Sequence, residues 1–190
     1  MSAAAVYVGL GSNQGDRLAH LRQAARALAE HPDFTLTALS GVWETEYVGP
    51  GSQAPYLNAC AALRTALGPA AVVAALKVLE AAAGRAPDGH LQPRPLDLDL
   101  LLWGDFHGQD GPITVPHPRA RERAFVLEPL AQIAPEARFP DSGETVAAAC
   151  ANIRRKRDPW VRLWEGGALT PVRRDDGKEE RGAALAVHRR

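Results

Sequence analysis

Cysteine is almost missing from this chain, which has only Cys60 and Cys150 among its 190 residues. Two thiols without metal-ligand spacing exclude a disulfide framework and a zinc cluster, and each sits in an Ala-rich apolar stretch that suits a buried free thiol. Net charge is missing as well, because 22 basic residues balance 22 acidic ones. No overall field therefore draws nucleic acid or an anionic membrane surface, and any anionic ligand must be held by local basic groups. No apolar run approaches the roughly 20 residues of a membrane span. The first residues carry neither a basic n-region nor an apolar h-region, so no signal peptide is expected and a reducing cytoplasm fits. Internal repeats are absent. So are the two common glycine signatures for nucleotides: Gly9 and Gly11 are followed by Gln14, with Gly15 one place late for G-x-G-x-x-G, and no Gly-Lys-Ser/Thr closes a P-loop. That first glycine cluster is expected to be a structural turn, with Asp16 placed to cap the next helix.

What is present describes an ordinary globular domain, with 46% hydrophobic and 23% charged residues,. Residues 4–10 read as a strand and 11–16 as the turn after it. Leu18, Leu21, Ala25 and Leu28 recur at helical spacing until His31-Pro32 ends the helix. A second strand is expected over 34–45, a loop over 46–55 and a third strand over 56–65. In that third strand Leu57, Ala59, Ala61 and Leu63 face one way, and Tyr56 and Asn58 the other. Gly68-Pro69 opens a second helix with Val72 or Val73, Leu76, Leu79 and Ala83 on its apolar stripe, and Gly84 closes it. A Gly- and Pro-containing loop over 85–95 leads into a fourth strand. A polar turn (104–111), an extended basic segment (112–123) and helices over 125–133 and 145–157 follow. The order β-α-β-β-α-β resembles the ferredoxin-like split plan, an α+β sandwich with a mainly antiparallel sheet and helices on one face. Residues 166–190 are charged and aperiodic and are expected to form a mobile tail beyond a domain of residues 1–165.

The most distinctive segment is the fourth strand, Pro93-Arg94-Pro95-Leu96-Asp97-Leu98-Asp99-Leu100-Leu101-Leu102-Trp103. Successive strand side chains alternate faces, so Asp97 and Asp99 share one side and Leu96, Leu98 and Leu100 the other, with the two carboxylates about 6.6 Å apart along the strand. Such a pair either faces water or converges on hard cations. Arg85, Arg94, His117, Arg119, Arg121 and Arg123 flank it in sequence, a combination coherent with a metal-bound polyphosphate. Glu80 lies near a helix C-terminus, where the macrodipole disfavours a carboxylate. Either Lys77 compensates it or it meets a ligand. Tyr56 and Asn58 together offer a ring and an amide edge, suited to a heterocycle or to cross-strand packing.

Four blocks resemble the 6-hydroxymethyl-7,8-dihydropterin pyrophosphokinase family: residues 9–17 (Gly-Leu-Gly-Ser-Asn-Gln-Gly-Asp-Arg), Thr45 through Tyr56-Leu57-Asn58, Pro93 through Asp99, and Val115-Pro116-His117 with Arg123-Ala124-Phe125. The resemblance implies transfer of a pyrophosphoryl group from ATP to a pterin alcohol in folate synthesis, by in-line attack of the pterin hydroxyl on the β-phosphorus with release of AMP. It implies that Asp97 and Asp99 bind two Mg2+ ions and that Arg85, Arg94, Asp97 and Asp99 form the catalytic set. Lys77, Glu80, Arg85, Arg94, Leu100, Thr114, His117 and Arg123 would then contact ATP. Thr45, Val48, Tyr56, Asn58, Asp97 and Phe125 would line the pterin pocket. Neighbouring folate-pathway enzymes are the implied partners. One block departs from the family: its Trp-Gly-Pro-Arg run before the aspartate strand is replaced by Pro87 through Arg94, which contains no Trp.

Overall fold

The computed structural model describes residues 3–86, 92–155 and 160–169. Strand β1 (Ala4–Ser12) runs into a turn at Gly15, whose φ of 64° is one that a side chain would strain,. Helix α1 (Arg17–Glu30) begins where the Asp16 carboxylate accepts the Ala19 amide at 3.0 Å, and it buries Leu21, Ala24, Ala25 and Leu28 on one stripe,.

The strand expected over 34–45 is two strands, β2 (Thr35–Leu39) and β3 (Trp43–Thr45), both paired to β4 (Tyr56–Thr65). The break falls at Ser40. Its backbone N–H still donates to the Cys60 carbonyl at 2.9 Å, but its hydroxyl, rather than a main-chain carbonyl, accepts the Cys60 N–H at 2.8 Å. A side chain inserted into the ladder ends regular pairing, and a register shift between Leu36 and Ala38 already loosens it,.

Helix α2 (Pro69–Ala82) is followed by β5 (Asp97–Trp103), then by a small antiparallel ribbon of β6 (Gly108–Asp110) and β7 (Ile113–Val115) where a turn and an extended segment were expected. Helices α3 (Ala124–Ile133) and α4 (Val146–Arg154) and strand β8 (Val161–Leu163) complete the described chain. The main sheet has the order β5-β1-β4-β3-β8, with β2 also on β4, and every pairing is antiparallel.

Both faces of this sheet are covered, which the one-sided plan did not anticipate. Leu57, Ala59, Ala61, Leu63, Leu98 and Leu100 pack with α1 and α2 on one side. Cys60, Leu101 and Leu102 pack with α3 and α4 on the other. The apolar residues of α3 and α4 need a second layer, and the even-numbered side of β4 supplies it. Residues 166–169, assigned to the tail by composition, lie against α1: Ala168 accepts from Arg22 Nε at 3.1 Å and Leu169 is buried. The remainder of the expected tail, 170–190, and helix residues 156–157 lie outside the described residues.

Candidate active site

Helix α3 covers only part of its side of the sheet, and the floor of the uncovered part is made of glycine. Gly9 lies within β1 as expected, and Gly11, expected in the turn, lies within it too. Gly9 pairs with Asp99 and Cys60, and Gly11 with Asp97 and Asn58. Because neighbours in register share a face, Gly11 sits between Asp97 and the Asn58 amide, and Gly9 between Asp99 and Cys60, with no side chain to fill the space,. A Cβ on Gly11 would meet Asn58 Oδ1 at 3.3 Å and the Tyr56 ring at 3.6 Å. A cleft of about 300 Å3 opens over this floor. The signal for these two residues is present in the sequence as glycine at alternate positions of a strand, but the expected strand ends at Leu10 and leaves Gly11 in the turn.

Asp97 and Asp99 do project from one face of β5 into the cleft. Asp97 Oδ1 accepts from Arg94 Nη1 at 3.1 Å and also from Arg85 Nη1. Asp99 is more open, with Arg123 Nη1 4.0 Å from its Oδ2. No third His, Cys, Asp or Glu joins the pair among the described residues. One or two carboxylates beside anchored cations suit Mg2+, which keeps waters and phosphate oxygens in its shell rather than filling a protein cage.

The groups behind the pair set its geometry. Glu80 is 2% exposed and does not reach the cleft. Its carboxylate takes Lys77 Nζ at 2.9 Å on both oxygens, Arg85 Nη1 at 2.7 Å and the Leu98 amide at 2.7 Å. Lys77 therefore does compensate the helix-end charge, and the other partner is the strand backbone between the two aspartates. Arg85 bridges Glu80 to Asp97. Arg94 is fixed through its own peptide: Asn13 Oδ1 accepts its N–H at 2.8 Å, and the Asn13 N–H donates to its carbonyl at 3.2 Å. Burial lowers the Arg94 pKa, but the combined pull of Asp97, Tyr56 and Asp99 outweighs it and holds the value above its ordinary one.

The second wall follows from a bulge. Val8 pairs with Leu100 and Tyr7 with Leu102, so Leu101 is an extra residue on β5,. Its carbonyl accepts the His117 N–H at 2.9 Å. His117 Nδ1 accepts the Arg119 amide at 3.1 Å, so the neutral ring carries its proton on Nε2 and is a donor there,. Burial lowers the His117 pKa against the opposing pull of Asp99. Burial and the charge of Arg119 likewise lower Arg123. Lys77, Arg85, Arg94, Arg119 and Arg123 outnumber Glu46, Asp97 and Asp99 around the cleft. This excess is what an anion would relieve.

At the other end Asn58 Nδ2 donates to Thr45 Oγ1 at 2.9 Å, and both residues are buried. The pair leaves the Thr45 hydroxyl proton, the second Asn58 N–H and Asn58 Oδ1 available for a polar ring edge. Tyr56, Val48 and Phe125 line the same end, with Val48 43% exposed at the mouth. Burial raises the Tyr56 pKa, so its hydroxyl stays protonated. Tyr47, which the sequence reading passed over, adds a ring 6.4 Å from that of Tyr56 and inclined by 18°. Besides Glu80, two expected ATP contacts lie elsewhere: Leu100 is in the core under the opposite face of β5, and Thr114 is on β7, away from the cleft lining. The unusual loop residues 87–91 lie outside the described residues.

A two-sided sheet protein whose cleft has a cationic end and a buried polar end, joined by two aspartates, has in chemical terms the features of the class that handles phosphate beside a ring,. The family model described as 7,8-dihydro-6-hydroxymethylpterin-pyrophosphokinase (HPPK) matches residues 7–135. The 2-amino-4-hydroxy-6-hydroxymethyldihydropteridine pyrophosphokinase of Bacillus subtilis is 41% identical over 127 residues, covering 67% of this chain and 76% of that protein. The protein of the same name from Pseudomonas aeruginosa is 39% identical over 147 residues, covering 76% and 91%. A crystal structure of Plasmodium falciparum HPPK-DHPS has the same fold, with a TM-score of 0.63 at 12% identity, covering 79% of this chain and 44% of that longer one. The chain belongs to the 7,8-dihydro-6-hydroxymethylpterin-pyrophosphokinase family.

Proposed function

We propose that this protein transfers the pyrophosphoryl group of ATP to the hydroxymethyl oxygen of 6-hydroxymethyl-7,8-dihydropterin, releasing AMP, in folate synthesis. The observation that carries the reading is the glycine-floored cleft in which Asp97 and Asp99 stand between a cationic wall and the buried Thr45–Asn58 pair. Two Mg2+ ions held by Asp97 and Asp99 would neutralise polyphosphate charge and align it for in-line attack.

The chain's own groups do the rest by position and charge. Arg85 and Arg94, already aimed at Asp97, are placed to take phosphate oxygens of the transferred group. His117, as an Nε2–H donor, and Arg123 face the same anion from the second wall. Lys77 completes the cationic lining, while Glu80 acts through Arg85 and the β5 backbone. Thr45 and Asn58 offer donors and acceptors to the pterin edge, with Tyr56, Val48 and Phe125 against its faces, so that the hydroxymethyl group is delivered beside Asp97. For Leu100 and Thr114 the burial and position above support no side-chain contact with ATP. The strand order around β1 and β4, with β2 and β3 taken as one kinked strand, supports the ferredoxin-like plan with α3, α4, β8 and the small ribbon added. Among the described residues no helix is long and apolar enough to cross a membrane, and a cytoplasmic enzyme is proposed. The folate synthesis bifunctional protein of Pisum sativum, 38% identical over 125 residues, supports a folate-pathway enzyme as its neighbour.

The test is AMP release in the presence of ATP, Mg2+ and the pterin, against ATP and Mg2+ alone. AMP formation that requires the pterin is the expected result. ATP hydrolysis of equal rate without it would make the protein a phosphohydrolase on the same aspartates instead.

A further inference from the structure

The wall that receives the ring is fastened from behind by a cluster that the reaction does not use. Glu44 alternates with Thr45 on β3, so its side chain leaves on the opposite face, towards α1, where the residue is 5% exposed,. Its Oε1 takes Arg17 Nη2 at 3.0 Å, and its Oε2 takes Arg162 Nε at 3.1 Å and Arg162 Nη2 as well. The same Arg17 guanidinium donates through Nη1 to the Pro55 carbonyl at 2.7 Å. Glu44 precedes Thr45, Pro55 precedes Tyr56, and Thr45 and Tyr56 are register partners. One cation therefore grips both ends of the 46–55 loop at its neck.

Arg17 is itself placed, at the first residue of α1 and with its guanidinium 5.6 Å from the centre of the Trp164 ring. Residues 160–169 hold this arrangement down like a strap. Strand β8 pairs with β3, the Trp164 N–H donates to the Val42 carbonyl at 2.8 Å, Arg22 holds Ala168 and Leu169 is buried in the core. Arg162 and Trp164 both lie beyond the residues 7–135 that define the family match.

We infer that Glu44, clamped between Arg17 and Arg162, is a positioning residue for pterin binding, and that the strap of residues 160–169 is a working part of the site. Stability alone does not call for this arrangement, since burying a carboxylate to pair it with cations is seldom better than apolar packing of the same volume. A grip on both ends of one loop instead removes conformations that the loop would otherwise lose on binding, and this improves affinity for the ligand it contacts rather than the chemical step. The identity of that ligand rests on the function proposed above, and the grip itself does not.

The test compares wild type with Glu44→Gln, with Arg162→Ala, whose side chain is 67% exposed so that folding is not at stake, and with Arg26→Ala, an exposed ion-pair control on α1. Glu44→Gln is expected to raise the KM for the pterin roughly fivefold or more, with kcat and the KM for ATP within about twofold, and Arg162→Ala to raise it less. In the ligand-free proteins, amide hydrogen exchange across residues 46–56 should quicken in both variants and stay unchanged in Arg26→Ala. A lowered Tm with unchanged pterin KM and unchanged exchange in Arg162→Ala would overturn the inference. A wild type that forms no pterin-dependent AMP would overturn the proposed function, and the exchange comparison would still decide the latch.

Discussion

Asp97 and Asp99 sit two residues apart on one strand face, yet they are held differently and should fail differently. Asp97 carries two guanidinium groups on one oxygen, whereas among the described residues Asp99 has only Arg123, at 4.0 Å. Asp99→Asn should lower kcat for AMP release by about 10^2 to 10^3-fold, the scale of losing one electrostatic contact to the transition state, with Tm unchanged. Asp97→Asn should lose as much activity and also lower Tm, because Arg85 and Arg94 are left facing one another without their shared anion. Steady-state kinetics with thermal unfolding on both variants reads the difference. Glu44 sets a second residue-scale expectation. Burial alone would raise its pKa from 4.5, but hydrogen bonds from Arg162 and Arg17 outweigh that and bring the net value below it. A carboxylate whose folded pKa is depressed contributes stability that is complete above its unfolded value and is lost as pH falls through the folded one. Tm measured between pH 7 and pH 3 should therefore fall less steeply in Glu44→Gln than in wild type at the acid end, from a lower starting point at neutral pH.

Among the elements, β5 does more than carry carboxylates. Its extra residue, Leu101, releases a carbonyl that fixes His117, and its Leu98 amide is held by Glu80 of α2. Glu80→Gln leaves Lys77 and Arg85 around a buried neutral group and should cost on the order of 2–4 kcal/mol of stability by denaturant unfolding, given that Lys77 is half exposed,. Its kcat should also fall, since Arg85 loses the partner that aims it. On β1 the glycines make the cleft by omission. Gly11→Val would place a branched side chain where even a Cβ already touches Asn58 Oδ1 at 3.3 Å. It should abolish pterin binding in a direct titration while leaving the far-ultraviolet circular dichroism spectrum intact. Helical periods such as Leu21, Ala25 and Leu28 were readable in the chain because burial follows local spacing. The break at Ser40 and the bulge at Leu101 were not, because each depends on a hydrogen bond to a residue distant in sequence.

For the whole molecule, the surplus of cations around the cleft should make ligand binding and stability interdependent. ATP with Mg2+ at about a hundred times its Kd should stabilise the protein by about 2.7 kcal/mol, seen as a rise in Tm. ATP with a chelator should give a smaller rise, and the variant carrying both Asp97→Asn and Asp99→Asn should show no difference between the two conditions. At this scale composition is a poor guide to residues 166–169, which pack against α1 although their charge and glycine content suggest a tail. Residues 161–164 alternate well enough for a short edge strand, and 161–163 pair with β3, but charge and glycine content give residues 166–169 no period of their own, and they gain an apolar seat for Leu169 only once the sheet exists. Alternation along residues 96–100 by itself determined that two aspartates share a face opposite the leucines, and the helical stripes determined which sides of α1 and α2 are buried, since both follow from the geometry of a single element. Only the tertiary structure decided that Gly9 and Gly11 form the floor of a cleft, that Glu80 stands behind Arg85 instead of meeting the cleft, and that Glu44 joins α1 to β8. Each of these depends on which strand or helix lies alongside, and register between distant segments is not encoded in the spacing of either one.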